Sequence, residues 1–172
     1  MDAKVMKLAR KIKGLIFHPK EVHVECLHCN NVFKKLIEFA KKNPNLYYMI
    51  NCDYDYAKHR AGNFNMTRKQ YFDIVRKRIK ILDSIVFNIG LHPHLWVHYE
   101  EPLSYNMQCE NIIKCHNFIR KSQDKLPSVF PIEEVSFGWW SWNKDTEKIC
   151  NELGLKIRPR CVFMHDYDLI RW

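Results

Sequence analysis

The chain has 172 residues, 47% of them hydrophobic and 27% charged, with five glycines and seven prolines. That is enough for one domain, residues 1–172, with a sizeable core, and it excludes a disordered chain. The formal charge is +9, and no stretch approaches the roughly 18 consecutive apolar residues of a membrane span.

Residues 1–20 read as a basic, amphipathic lead-in, with Val5, Leu8, Ile12 and Leu15 at helical spacing. Met1–Arg10 is charged and has no apolar signal core, so a cytoplasmic protein is expected. Glu21–Leu27 alternates toward a strand. Asn30 and Asn31 are good caps for a helix running to Lys42, with Val32, Phe33, Leu36, Ile37 and Ala40 inward. Asn43-Pro44-Asn45 stops that helix, and Leu46–Cys52 is a second strand leading into Asp53-Tyr54-Asp55-Tyr56.

Residues 57–65 read as a loop. Thr67 caps a helix through Leu82, on which Phe72, Val75, Ile79 and Leu82 share a face. Ile85–Leu91 is a third strand, and Tyr105–Arg120 a helix after the Pro102 turn. Pro127–Pro131 is a loop, Ile132–Phe137 a fourth strand, and Asn143 caps a helix to Leu153 that Gly154 ends. Lys156–Met164 is a fifth strand, interrupted at Pro159. Strands alternating with helices imply parallel, right-handed crossover units, an α/β fold.

Charge concentrates in Lys4–Lys20, Lys34–Lys42 and Arg68–Lys80. The last two are helical in pattern with their basic residues off the apolar face, which reads first as solvated helix surface. The second reading is affinity for an anionic partner, polysaccharide or nucleic acid. Seven cysteines, an odd number without a signal segment, favour reduced thiols. Cys26-Leu27-His28-Cys29 has zinc-knuckle spacing but lacks a second pair of cysteines to complete a tetrahedral site.

The chemistry concentrates at the carboxyl ends of the strands, where loops and helix N-termini converge in parallel sheets. The first ends in Glu25, Cys26 and His28, the second in Asp53 and Asp55, and the third in His92 and His94 with Trp96 and His98 behind. The fourth delivers Trp139, Trp140 and Trp142, and the fifth His165, Asp166 and Asp168. Pro93 stiffens the backbone between His92 and His94, and residues two apart in extended chain point the same way. Imidazole with carboxylate is the ligand set of a divalent ion of the zinc, cobalt or nickel type with an open position. The tryptophans suit either the faces of sugar rings or a filled barrel mouth.

These residues together resemble the polysaccharide deacetylases of the carbohydrate esterase type. Glu21-Val22-His23-Val24-Glu25-Cys26-Leu27-His28-Cys29 occupies the place of that family's first motif, and Ile89-Gly90-Leu91-His92-Pro93-His94 the histidine motif. Ser136-Phe137-Gly138-Trp139-Trp140-Ser141-Trp142-Asn143 resembles the third motif, and His165-Asp166-Tyr167-Asp168-Leu169 the late histidine motif. The resemblance implies a distorted or incomplete (β/α) barrel and a metal-dependent hydrolase that removes acetyl groups from a carbohydrate. By position it makes Glu25 the base and His165 the acid, with Cys26 or His28, His92 and His94 as metal ligands. Trp139, Trp140, Trp142, Asp53 and Asp55 are the substrate-side candidates.

The pattern also departs from that family. A single acid, Glu25, stands where two aspartates are usual, Trp96 lies four residues after His92, and Ser136–Asn143 contains no arginine. A degenerate barrel that binds a carbohydrate or protein without catalysis is therefore a second expectation. A different His-x-His metallohydrolase, using Asp53 or Asp166, is a third. A nucleic-acid binder, suggested by the charge and by Tyr54, Tyr56, Trp139 and Trp142, is a fourth; basic helix faces set away from the aromatic strand ends argue against it.

Overall fold

A computed structural model describes residues 19–61, 64–95, 103–123, 132–138 and 142–170. The lead-in up to residue 18, Trp96, His98, Pro102, Pro127–Pro131, Trp139 and Trp140 lie outside these described residues. In chain order the elements are β1 (Glu21–Val24), α1 (Asn30–Lys42), β2 (Tyr47–Ile50), α2 (Tyr54–Ala61) and α3 (Arg68–Asp83). They continue with β3 (Asn88–Leu91), α4 (Tyr105–Ser122), β4 (Glu134–Val135), α5 (Lys144–Glu152), β5 (Lys156–Ile157) and β6 (Phe163–His165), followed by a 3₁₀ turn at Asp166–Ile170.

The six strands form one sheet in the order β5-β4-β3-β2-β1-β6, and every neighbouring pair is parallel. Ser136 prolongs β4, its N–H donating to the Leu91 carbonyl at 2.9 Å, yet its hydroxyl donates to Glu21 Oε1 on β1 at 2.8 Å. In a flat sheet these strands would stand about 14 Å apart, three spacings of 4.7–4.9 Å. The sheet is therefore curled, with β5 and β6 as its two edges and the helices outside: a distorted, incomplete (β/α) barrel.

Alternation along the strands sorts the side chains between the two faces. Val22, Val24, Tyr48, Ile50 and Leu91 join the apolar core beneath the helices. Glu21 and His23 occupy the other, inner face, and both are buried. That face is crowded: a Cβ on Gly90 would meet Met49 Cε at 2.5 Å and the Glu134 carbonyl at 2.8 Å, so only glycine fits there.

Each helix buries one stripe. Val32, Leu36 and Ala40 face inward from α1, Tyr71, Val75, Ile79 and Leu82 from α3, and Ile112, Cys115 and Ile119 from α4. The basic residues Lys34, Lys35, Lys41, Lys42, Arg68, Lys69, Arg76, Lys77 and Lys80 are exposed, as their position off the apolar face predicts. Thr67 and Asn143 make reciprocal capping boxes with Gln70 and Thr146. Gly154, at φ 68°, takes the left-handed conformation past the end of α5. No helix among the described residues is long and apolar enough to cross a membrane.

Four expectations are corrected. Residues 57–65 are not all loop, because α2 runs from Tyr54 to Ala61; Asp53 Oδ1 accepts from the N–H groups of Asp55 and Tyr56 and so starts the helix. Cys29, not Asn30 or Asn31, is the N-cap of α1. Ile85 and Val86 fold back onto the Leu82 carbonyl, so β3 begins only at Asn88. Finally, Lys156–Met164 is two strands on opposite edges of the sheet, because Arg158–Val162 carries the chain across the open side to pair Phe163–His165 with Glu21–His23.

Because the Thr67 hydroxyl accepts from the otherwise orphaned Gln70 N–H at the start of α3, Thr67→Ala is expected to cost about 1 kcal/mol. A urea midpoint that falls at constant slope checks it.

Candidate metal centre

Glu25 follows β1 directly and shares the inward parity of Glu21 and His23. His92 extends β3, its N–H donating to the Ile50 carbonyl at 2.9 Å, and His94 lies two residues on. The barrel mouth thus gathers three buried side chains whose ligand atoms all lie within 4.8 Å of one another. Glu25 Oε1 stands 3.4 Å from His92 Nε2, 3.3 Å from His94 Nε2 and 3.5 Å from His165 Nδ1. His165 reaches the mouth from the edge strand β6 and retains about a quarter of its side-chain exposure.

The hydrogen bonds fix the chemistry of this cluster. His92 Nδ1 is 2.6 Å from the carbonyl of Ser136, which can only accept, so Nδ1 carries the proton. Its Nε2, buried and without a hydrogen-bond partner, faces the carboxylate, and in the neutral ring this nitrogen is a lone pair. Two acceptors opposed in a buried mouth are costly unless a cation lies between them. Burial pushes the Glu25 carboxyl up, but His165, His92 and His94 outweigh it and hold the group well below the usual carboxylate range. Burial, with His92 nearby, pushes His94 down to about 4, which leaves its imidazole neutral. A carboxylate beside the neutral imidazole of His94 is the ionisation state that binds a divalent ion.

Several neighbours position the cluster. The Tyr56 hydroxyl donates to Glu25 Oε2 at 3.0 Å, and the Arg60 guanidinium lies 3.9 Å from the same oxygen. The Tyr56 ring also stacks on His94, with centroids 3.9 Å apart. Both residues come from α2, which the loop reading of the sequence hid. The arginine beside the acid thus comes from α2, not from the third motif. Gly138 closes against the mouth, where its N–H donates to the Pro93 carbonyl at 3.1 Å and a Cβ would overlap the His94 ring.

A polar layer lies one step deeper. Glu21 accepts from His23 at 2.8 Å, Ser136 at 2.8 Å and Arg158 at 2.7 Å, and Arg158 also reaches Glu134. Ser136 thereby links Glu21 to His92, holding one with its hydroxyl and the other with its carbonyl. Burial alone would raise the Glu21 pKa, but the hydrogen bonds from His23, Arg158 and Ser136 hold it at about 2.

The remaining sequence candidates lie elsewhere. Cys26 turns away from the cluster: its N–H donates to Asp166 Oδ2 at 2.8 Å and its thiol faces Cys29. The His28 ring packs against Phe64 and Tyr71. Asp166 is fully buried, and burial pushes its carboxyl up to about 7. Asp55 pairs with Arg68 at 2.7 Å. Asp53 and Asp55 line a cleft of about 700 Å³ between α3 and α4 that also reaches Pro93 and His94. Trp142 packs near Phe137 and donates its indole N–H to Glu147 at 3.3 Å.

The molecule is a curled parallel sheet with, at its carboxyl mouth, a Glu–His–His cluster able to coordinate a divalent ion. Its fold is that of the CE4 polysaccharide deacetylases. It matches the wild-type BA3943 protein of Bacillus anthracis, described as a CE4 family pseudoenzyme, with TM-score 0.53 and 12% identity over 86% of this chain and 43% of that one. It also matches a BA3943 mutant described as having restored enzymatic activity, with TM-score 0.54 and 10% identity over 86% of this chain and 56% of that one. The peptidoglycan deacetylase PdaC of Bacillus subtilis, as a D285S mutant, matches with TM-score 0.50 and 14% identity over 83% of this chain and 58% of that one. The chain thus spans about half the length of these structures. No protein-family model and no curated protein matches the sequence.

Two outcomes follow. Gly138→Ala is expected to displace His94 and weaken binding of a divalent ion at least tenfold, the scale of losses at supporting positions around metal sites; titration with zinc or cobalt reads it. The folded-state pKa of Glu21 lies below its ordinary value of 4.5, so its ionisation stabilises the fold above pH 4.5 and ceases to as the pH falls toward 2. The urea-midpoint difference between wild type and Glu21→Gln is expected to shrink between pH about 6 and about 3.

Proposed function

We propose that the protein is a metal-dependent hydrolase that removes N- or O-acetyl groups from a carbohydrate. The observation that carries this reading is the buried His92 Nε2 lone pair facing Glu25 Oε1, with His94 Nε2 beside them. Glu25, His92 and His94 would hold the ion. Zinc, cobalt or nickel there supplies Lewis acidity, polarising a carbonyl and acidifying water.

The chain's own residues do the rest. Glu25 serves as a ligand through Oε1 and not as the free base expected from the first motif, because Tyr56 and Arg60 hold its Oε2. His165 is then the proton carrier: Nδ1 lies at the mouth without a hydrogen bond, on a ring stacked over Tyr167 at 4.6 Å. It takes the proton of the attacking water and returns it to the leaving amine or alcohol. Tyr56 and Arg60 orient the carboxylate, and Ser136 fixes the His92 tautomer. Likeness of fold to the peptidoglycan deacetylase supports an acetylated carbohydrate as the substrate.

One observation favours a second reading, a barrel that binds without catalysis. Among the described residues, Glu25 is the single carboxylate in the cluster, and Asp166 is committed to the backbone of Cys26. Among the described residues, the cluster itself offers no second acid to act as a base.

Elemental analysis of the purified chain is expected to find about one equivalent of divalent ion. His92→Ala and Glu25→Ala should each lose more than about a hundredfold in metal affinity. His165→Ala should keep the metal and lose at least about a hundredfold in acetate release from an acetylated chitooligosaccharide. Metal without release supports the second reading, and an absence of both overturns the hydrolase.

A further inference from the structure

Beside the metal cluster, β1 and α1 are joined by Cys26-Leu27-His28-Cys29. The N–H of Cys29 donates to the Cys26 carbonyl at 2.9 Å, closing a tight turn that carries both thiols. Cys29 is the N-cap of α1, with extended backbone and no capping hydrogen bond from its side chain. Both cysteines are half-buried, neither sealed in the core nor fully solvated. Arg78 of α3 grips the same turn, donating to the Leu27 carbonyl at 2.6 Å and to the Asn30 side chain.

We propose that Cys26 and Cys29 form a redox-active dithiol, which closes to a disulfide by exchange with a small-molecule disulfide. Two-residue spacing lets the sulfurs meet without moving β1 or α1, and the helix N-terminus with Arg78 favours negative charge on Cys29. Cys26 and the neighbouring His28 lower the Cys29 thiol from its ordinary range, against the effect of burial. The start of α1 and Arg78 thus favour the Cys29 thiolate, the form able both to attack and to leave.

The exchange runs in two displacements. Cys29 Sγ attacks one sulfur of the external disulfide, that S–S bond breaks, and one small thiolate departs. Cys26 gives its proton to this thiolate and attacks the Cys29 sulfur of the mixed disulfide, releasing the second small thiolate. The pair, one thiolate and one thiol, loses two electrons and one proton, and the external disulfide is reduced to one thiol and one thiolate, which takes its proton from water.

Another pair, Cys52 and Cys115, lies closer still, with the sulfurs 3.0 Å apart. Their hydrogen bond and deep burial hold Cys52 well above the ordinary thiol range, and burial shuts both sulfurs away from an external disulfide. The Cys26–Cys29 turn also adjoins the metal cluster, because Cys26 follows Glu25 in the chain. The redox proposal does not depend on a bound metal.

The test exposes the full-length chain to oxidised glutathione, quenches with acid and maps the cysteine peptides by mass. The segment holding Cys26 and Cys29 is expected to lose the mass of two hydrogens, and Cys26→Ser is expected to trap glutathione on Cys29. Alkylation of Cys29 in the wild type should slow by less than about threefold from pH about 8 to about 6, where an ordinary thiol slows about a hundredfold. Cys26 and Cys29 remaining reduced would overturn the proposal. So would a Cys52–Cys115 bridge in their place, or zinc held by the pair and released by Cys29→Ser.

Discussion

A buried carboxylate with imidazoles crowded around one of its oxygens is the constraint on which the barrel mouth depends. His92 cannot turn its proton toward Glu25, because the Ser136 carbonyl already claims it. The facing nitrogen, without a hydrogen-bond partner, stands 3.4 Å from a carboxylate oxygen inside a region with almost no solvent. A cation between the two would satisfy both, and the cluster has the donor set to coordinate one. Tyr56 and Arg60 reinforce this by occupying the second carboxylate oxygen, which leaves Oε1 committed to the imidazole side.

The curvature of the sheet makes that arrangement possible. Strand alternation sends Val22, Val24, Tyr48 and Ile50 outward beneath the helices and keeps Glu21 and His23 inside. Polar groups on an inner face can be kept only where they satisfy one another, and they do. Glu21 collects three hydrogen bonds from β1, from the end of β4 and from the start of the β5–β6 crossing. That network ties strands three places apart and also aims the metal-facing ring, because Ser136 serves both Glu21 and His92. Stability of the barrel and geometry of the site are therefore carried by the same residues.

The contrast between the two cysteine pairs rests on environment. Cys52 and Cys115 are closer together, but they are enclosed in the core between β2 and α4. Cys26 and Cys29 share a turn at a helix N-terminus, with Arg78 across from it. Proximity brings two sulfurs together in both places; only the second also stabilises a thiolate. The turn that sends the Cys26 thiol toward Cys29 takes it out of the metal cluster, so the soft ligand expected from the sequence is used elsewhere.

The parallel α/β order, the apolar stripes of α1, α3 and α4, the caps at Thr67 and Asn143, and the pairing of His92 with His94 across Pro93 were all legible in the sequence. They depend on periodicities of two and 3.6 and on short-range hydrogen bonds, which few neighbouring residues suffice to specify. The helix α2 was not legible, because it is short, polar and weakly amphipathic, and its start rests on one aspartate in an acidic, aromatic run. Nor was the division of Lys156–Met164 between opposite edges of the sheet, which follows from curvature built by residues more than 100 positions away. The same holds inside the site. Glu25, His92, His94 and His165 could be placed on one rim from strand ends alone. Tertiary packing decided that Glu25 stands between the imidazoles of His92 and His94, that Cys26 and His28 lie outside that cluster, and that Tyr56, Arg60 and Ser136 support it. Local pattern fixes which way a side chain leaves the backbone, whereas its partner is set by how distant strands curl toward one another.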